Sequence, residues 1–188
     1  MKDFGPKTWF CPLPVLIVGT YDEDGVPNAM NVGWGSVADD CLVDINLATD
    51  RKTVDNLRKK MCFTAMFATR SNMDESDYFG MVHGYGINKV EKAGLKWHPS
   101  DFVDAPIIEG YPLVLECEVT HISTEDIDGG IRVFGRILNV KAEESVLTDG
   151  VPDMQKMDLI FFDTISKSYV SVGKPVGRAF SAGKRFID

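Results

Sequence analysis

Positive charge and hydroxyl groups gather in one short stretch of an otherwise acidic chain, Thr49-Asp50-Arg51-Lys52-Thr53. Residues Thr49 to Lys60 read as a short helix. Val54, Leu57 and Met61 recur on one face, Thr49 or Asp50 supplies a capping oxygen, and Arg58-Lys59-Lys60 suits the negative end of the dipole. The first amide N–H groups of a helix have no partner within it. With Arg51, Lys52 and the hydroxyls of Thr49 and Thr53 beside them, they offer a pocket for one phosphate dianion. The same residue types also make an ordinary capped, solvated helix start.

A second stretch, Asn28-Ala29-Met30-Asn31-Val32-Gly33-Trp34-Gly35-Ser36, has the makings of a site for a flat heterocycle. Such a ring needs apolar cover on one face and, along a polar edge, backbone N–H and C=O groups that approach without side chains between. Gly33 and Gly35 permit that approach. Asn28 and Asn31 can hydrogen-bond hydroxyls or ring edges, and Trp34 can lie against the ring. The alternative is that Trp34 belongs to the core and the asparagines finish a turn.

Other chemistries find no support. The four cysteines, Cys11, Cys41, Cys62 and Cys117, form no Cys-x-x-Cys pair, and His83, His98 and His121 show no metal-ligand spacing. No Ser/His/Asp or Cys/His arrangement has a recognisable local context. With 28 acidic against 20 basic residues and a net charge of −8, the chain is not built to neutralise nucleic acid or an anionic membrane. Any phosphate must be held locally. The apolar run Leu13 to Gly19 is far shorter than the roughly 20 residues of a membrane span, so a cytoplasmic protein is expected, with the cysteines reduced.

Around these stretches the elements are mostly strands. Leu13–Tyr21 stops at Asp24-Gly25, a tight hairpin signal, and Asn28–Ser36 should return against it. Cys41–Leu47 and Cys62–Ala68 alternate as half-buried strands on either side of the helix. Leu113–Ser123 and Ile131–Val140 should pair antiparallel through Asp128-Gly129-Gly130, and Tyr169–Val172 adds a last strand. Asp74–Met81 and Lys89–Gly94 read as short helices, the second ending at a glycine C-cap. No linker or repeat divides residues 1–188, which suit one domain: mainly β, six or seven antiparallel strands with short helices in the connections, a closed or split barrel.

These residues also carry a family likeness. Pro14-Val15-Leu16-Ile17-Val18-Gly19-Thr20 followed by Asp24-Gly25-Val26-Pro27-Asn28-Ala29-Met30 resembles the opening of the flavin reductase-like, or flavoredoxin-type, FMN-binding split barrels, which have Greek-key topology. Arg51-Lys52-Thr53 with Asn56 resembles that family's phosphate-side motif. Asn88 to Leu95 resembles its Asp-Lys-Phe-x-x-Ala-Gly stretch, and Tyr169 through Val176-Gly177-Arg178-Ala179-Phe180 its C-terminal signature. Departures are His83-Gly84 where many relatives carry Ser-Gly, Val90 after the lysine, Asn31 for Thr, and Gly33 for Ser or Ala.

The resemblance implies a homodimer with FMN in a groove near the subunit interface. Asn28, Met30, Asn31, Trp34 and Ser36 would surround the ring and ribityl chain, and Thr49, Arg51, Lys52 and Thr53 would hold the phosphate. Lys89 would be a cation close to the flavin or its phosphate tail, and Tyr169 would line the same groove. Phe161 and Phe162 are adjacent strand residues facing opposite sides, so only one can cover the ring. The family implies hydride transfer from NAD(P)H to N5 of FMN and onward delivery to a flavin, a ferric complex or a protein. Two other roles compete with this one: an FMN electron carrier reduced by a partner protein, and a barrel that has lost its cofactor.

Overall fold

The β-branched and aromatic runs fold as strands and the periodic segments between them as short helices. The computed structural model describes residues 1–123 and 129–187. Its strands and helices run β1 (Leu13–Pro14), β2 (Leu16–Tyr21), β3 (Pro27–Val32), β4 (Gly35–Asp39), β5 (Leu42–Ala48), α1 (Lys52–Lys60), β6 (Cys62–Phe67), α2 (Met73–Met81), α3 (Lys89–Lys92), β7 (Trp97–Pro99) and β8 (Pro106–Ile108). There follow β9 (Leu113–Ile122), β10 (Gly130–Ala142), β11 (Leu147–Thr148), β12 (Val151–Pro152), α4 (Met154–Met157), β13 (Ile160–Asp163) and β14 (Ser168–Ser171).

Seven strands form one antiparallel sheet in the order β3-β2-β6-β9-β10-β5-β4. Its two edge strands, β3 and β4, are joined only by Gly33 and Trp34. Two linking residues reach about 10 Å, so the edges must come together and the sheet must curl into a half-barrel. The seam is held by the Asn46 amide, which donates to the Trp34 carbonyl at 2.8 Å. The mainly β split barrel expected from the sequence is therefore present, but Asn28–Ser36 is two strands that turn a corner rather than one.

β2 runs through the middle, and both its faces are buried. Leu16 and Val18 point into the barrel with Ile45, Leu57, Phe63 and Val133. Val15 from the β1–β2 joint and Ile17 point to a second cluster with Phe79, Val90, Ile108 and Tyr111. α1 closes one end of the barrel with Val54 and Leu57, both fully buried. α2 and α3 pack along β3 on the other side. A small sheet, β1-β13-β14, sets Leu13 opposite Phe162 and Phe162 opposite Tyr169.

Local boundaries differ from the sequence reading for identifiable reasons. Pro14 has no N–H, and the Leu13–Tyr21 run splits at Val15 into β1 and β2. The first helix starts at Lys52, so Arg51 rather than Thr49 or Asp50 holds the N-cap position. Met61 is not on that helix's buried face: it is the left-handed C-cap, φ 52°, and its N–H returns to Leu57 O. β9 and β10 pair as expected and Gly129 has φ 82°, while Asp128 of the expected turn lies outside the described residues.

Gly19 shows how tightly the centre is packed. It is paired to Ala29 on one side and Thr64 on the other, and a Cβ there would stand 2.5 Å from Thr64 Oγ1 and 2.7 Å from the Pro106 carbonyl oxygen. Gly19→Ala must shift backbone. It should lower the urea midpoint by the equivalent of about 1–3 kcal/mol, and an unchanged midpoint would contradict this packing.

Candidate functional site

The start of α1 is fixed from below by side-chain amides and hydroxyls. Asn28, Thr20, Thr53 and Asn56 are all buried. Asn28 Nδ2 donates to Thr53 Oγ1 at 2.9 Å and to Thr20 Oγ1 at 3.4 Å, and Asn56 Nδ2 donates to Thr20 Oγ1 at 2.9 Å. Asn28 faces α1 because it sits on β3 directly opposite Thr20. Polar atoms buried here are thereby paired, and the helix start is held in register with the barrel end.

Cations surround that start, and among the described residues no side chain caps it. Among the described residues the buried Arg51 Nε has no hydrogen-bond partner, with Asp50 Oδ1 3.7 Å away. Lys52 Nζ pairs with Asp22 Oδ2 at 2.8 Å. Burial alone would raise the Asp22 carboxyl, but the Lys52 hydrogen bond and the Val26 amide outweigh it and hold it below its ordinary value. Lys89 is buried, and its ammonium donates to Phe79 O and Val82 O, each at 2.9 Å. Burial, followed by repulsion from Arg51 and Lys52, brings its pKa down to about 8. Three basic side chains thus share a corner without a full set of counter-charges.

The segment from the end of α2 to α3 lies over this corner. Lys89 fastens it from inside, and Tyr85 OH donates to Asp55 Oδ2 on α1 at 2.6 Å. His83 Nε2 stands 4.0 Å from Asp50 Oδ2. Gly84 is pressed onto the site: a Cβ there would collide with Asn28 Oδ1 and lie 3.3 Å from Lys52 Cδ. The Gly84 position therefore has room for no side chain.

About three residues along β3, roughly 10 Å away, a cavity of about 310 Å³ opens between α2, the Gly33-Trp34 corner and the small sheet. Asn31, Trp34, Asp77, Met81, Phe162 and Tyr169 are among its lining residues. Asn31 Nδ2 donates to Ser76 O at 2.9 Å, and Gly80 packs against its Cβ. Tyr169 OH donates to Asp77 Oδ1 at 2.7 Å. Burial and then that carboxylate push the phenol up to about 12. Trp34 is 48% exposed, so its indole is a wall of the cavity and not core.

The structure brings together Asn28, Arg51, Lys52, Thr53 and Lys89 at the α1 start, and Asn31, Trp34 and Tyr169 at the cavity. Phe162 is the phenylalanine on the cavity side, while Phe161 packs with Val146 and Leu159. Three expected residues stand elsewhere. Met30 is buried in the barrel interior. The Ser36 hydroxyl bonds Asp44, which Arg132 Nε meets at 3.2 Å. Thr49 Oγ1 donates to Gly129 O at 3.3 Å, away from the helix axis. Sequence reasoning gives Asp22 and Asp77 no site role, and marks Gly84 only as half of the His83-Gly84 departure. For Asp77 a signal existed, since Asp77, Gly80 and Met81 fall at i, i+3 and i+4 on one helix face.

Comparisons with known proteins agree with this architecture. The family model described as flavin reductase like domain matches residues 10–164. Flavoredoxin of Desulfovibrio vulgaris (Miyazaki F) superposes with a TM-score of 0.91 at 32% identity, covering 98% of this chain and 100% of that one. Flavoredoxin from Methanosarcina acetivorans superposes with a TM-score of 0.89 at 26% identity, covering 99% of each chain. An FMN-binding protein from Thermus thermophilus shares the fold with a TM-score of 0.78 at 20% identity, over 95% of this chain and 97% of that one. A match over most of the chain, joined to the split barrel just described, assigns the protein to the flavin reductase-like domain family.

Proposed function

We propose that the protein binds FMN, with its phosphate at the α1 start and its ring in the cavity bounded by Asn31, Trp34, Phe162 and Tyr169, and that it works as an NAD(P)H-dependent oxidoreductase. What supports this reading is that, among the described residues, the buried Arg51 Nε has no hydrogen-bond partner and the helix start beside it has no side-chain cap. A buried donor without an acceptor is costly, and a phosphate oxygen supplies that acceptor. The residues fit the group in three further ways. Lys52 and Lys89 add charge, Gly84 leaves backbone where a side chain would intrude, and the β3 edge from Asn28 to Asn31 spans the distance a ribityl chain has to cover.

Bound FMN would supply the two-electron chemistry, accepting hydride from NAD(P)H and passing electrons to a flavin, a ferric complex or a protein. The chain's own residues bind and orient. Arg51, Lys52 and Thr53 would fix the phosphate, Asn31 and the Gly33–Trp34 backbone would offer polar groups to the ring edge, and Trp34 and Phe162 would exclude water. The likeness to two flavoredoxins favours a second version, a carrier reduced by a partner protein.

A homodimer completes the proposal. The N-terminal segment exposes Phe4, Trp9 and Phe10, and the C-terminal segment exposes Val176, Phe180 and Phe186, apolar area that a second copy would cover. Among the described residues no helix is long and apolar enough to cross a membrane.

Arg51→Ala should weaken FMN binding about 10- to 100-fold in a fluorescence titration, the scale of a charge-assisted hydrogen bond, and an unchanged affinity would remove the proposed phosphate site. Phosphate binding would raise the Lys89 pKa above its free-protein value of about 8, so binding takes up a proton. Affinity should therefore hold between about pH 6, where the phosphate becomes a dianion, and pH 8, and then fall as pH rises. Lys89→Met should flatten that upper limb. Anaerobic stopped-flow mixing of the FMN-loaded protein with NADH and with NADPH tests the reaction. Bleaching by either supports the reductase, whereas failure of both, with dithionite still effective, sinks it in favour of the carrier.

A further inference from the structure

Asp77 is used by neither the phosphate contacts nor the ring cover proposed above. It is the one formally charged side chain among the described residues that line the cavity, whose other polar side chains are Asn31 and Tyr169. The phenol of Tyr169 donates to its Oδ1 at 2.7 Å, and Phe162 packs against Tyr169 with ring centroids 6.1 Å apart. Asn31 is in turn fixed by Ser76 O. Tyr169 stays neutral, since its pKa is pushed up to about 12, so it remains a donor that holds the carboxylate against the cavity wall. The basic groups Arg51, Lys52 and Lys89 gather at the α1 start, and none of them lines this cavity.

Reduction changes the charge of a flavin ring. Two electrons and one proton convert the neutral oxidised ring into a reduced ring with one negative charge. A carboxylate held at the ring's pocket raises the free energy of that charged product and leaves the neutral oxidised form nearly unaffected. Resting on the functional reading above, we infer that Asp77, held by Tyr169, lowers the reduction potential of bound FMN and makes the protein a donor to low-potential acceptors. Asp77 is exposed, as Asp74 is, and differs from it in being held by Tyr169 at the cavity wall; solvent screening limits the effect.

The test is a dye-equilibrated reductive titration of the FMN-loaded protein. Asp77→Asn and Asp77→Ser should favour reduced over oxidised FMN about tenfold more than the unaltered protein does, an upward shift of about 30 mV for a two-electron couple. Asp74→Asn removes an exposed charge from the first turn of the same helix and should leave the potential where it is. An unchanged or lower potential in both Asp77 variants with FMN bound overturns the inference, as does an equal rise in Asp74→Asn. If the unaltered protein takes up no FMN, the functional reading fails instead, a result distinct from an unchanged potential.

Discussion

Everything at the site depends on how α1 is seated in the mouth of the barrel. Val54 and Leu57 plug the opening, while the amides of Asn28 and Asn56 bridge Thr20 and Thr53 beside them. The apolar contacts supply adhesion and the amide bridges supply register, because buried polar groups accept few alternative positions. Once the helix is fixed in this way, its free N–H groups, Arg51 and Lys52 are committed to one place. The cost is a corner where cations crowd, visible in the lowered Lys89 pKa and in the buried Arg51 Nε, which has no acceptor among the described residues. Such a corner is stable with an anion in it.

The second constraint is the two-residue corner at Gly33-Trp34. It brings the sheet edges together, and it leaves the Trp34 side chain half exposed at the seam between β3, β5 and the small sheet. The cavity exists because the curled sheet ends there and α2 covers only part of the gap. Lys89 links the two regions. By donating to Phe79 O and Val82 O it ties the end of α2 to the segment that lays Gly84 over Asn28. This chain therefore uses Lys89 as a structural tie as well as a charge near the proposed phosphate site.

Much of this was legible in the sequence. Period-2 runs located the main strands, and the basic, hydroxyl-rich stretch at Thr49–Thr53 pointed to the helix start, because local patterning determines both. What was not legible depends on distant pairings. Asn28 and Asn31 look equivalent in sequence, but β3 points them to opposite faces, Asn28 to α1 and Asn31 to α2. Ser36 lies in a promising stretch, yet the corner after Val32 turns it toward Asp44. Thr49 resembles a cap, but its hydroxyl is drawn to Gly129 on a hairpin far along the chain. Asp77 gains meaning only once β14 brings Tyr169 to it.

On the function proposed here, the α1 start of this acidic chain holds a single phosphate. Comparing the affinities of FMN and riboflavin for the same apoprotein tests it most directly, since the two ligands differ only in that phosphate. A phosphate held there makes FMN bind at least about 100-fold more tightly than riboflavin at pH 7, the scale of two or more charge-assisted contacts. Equal affinities for the two would contradict it.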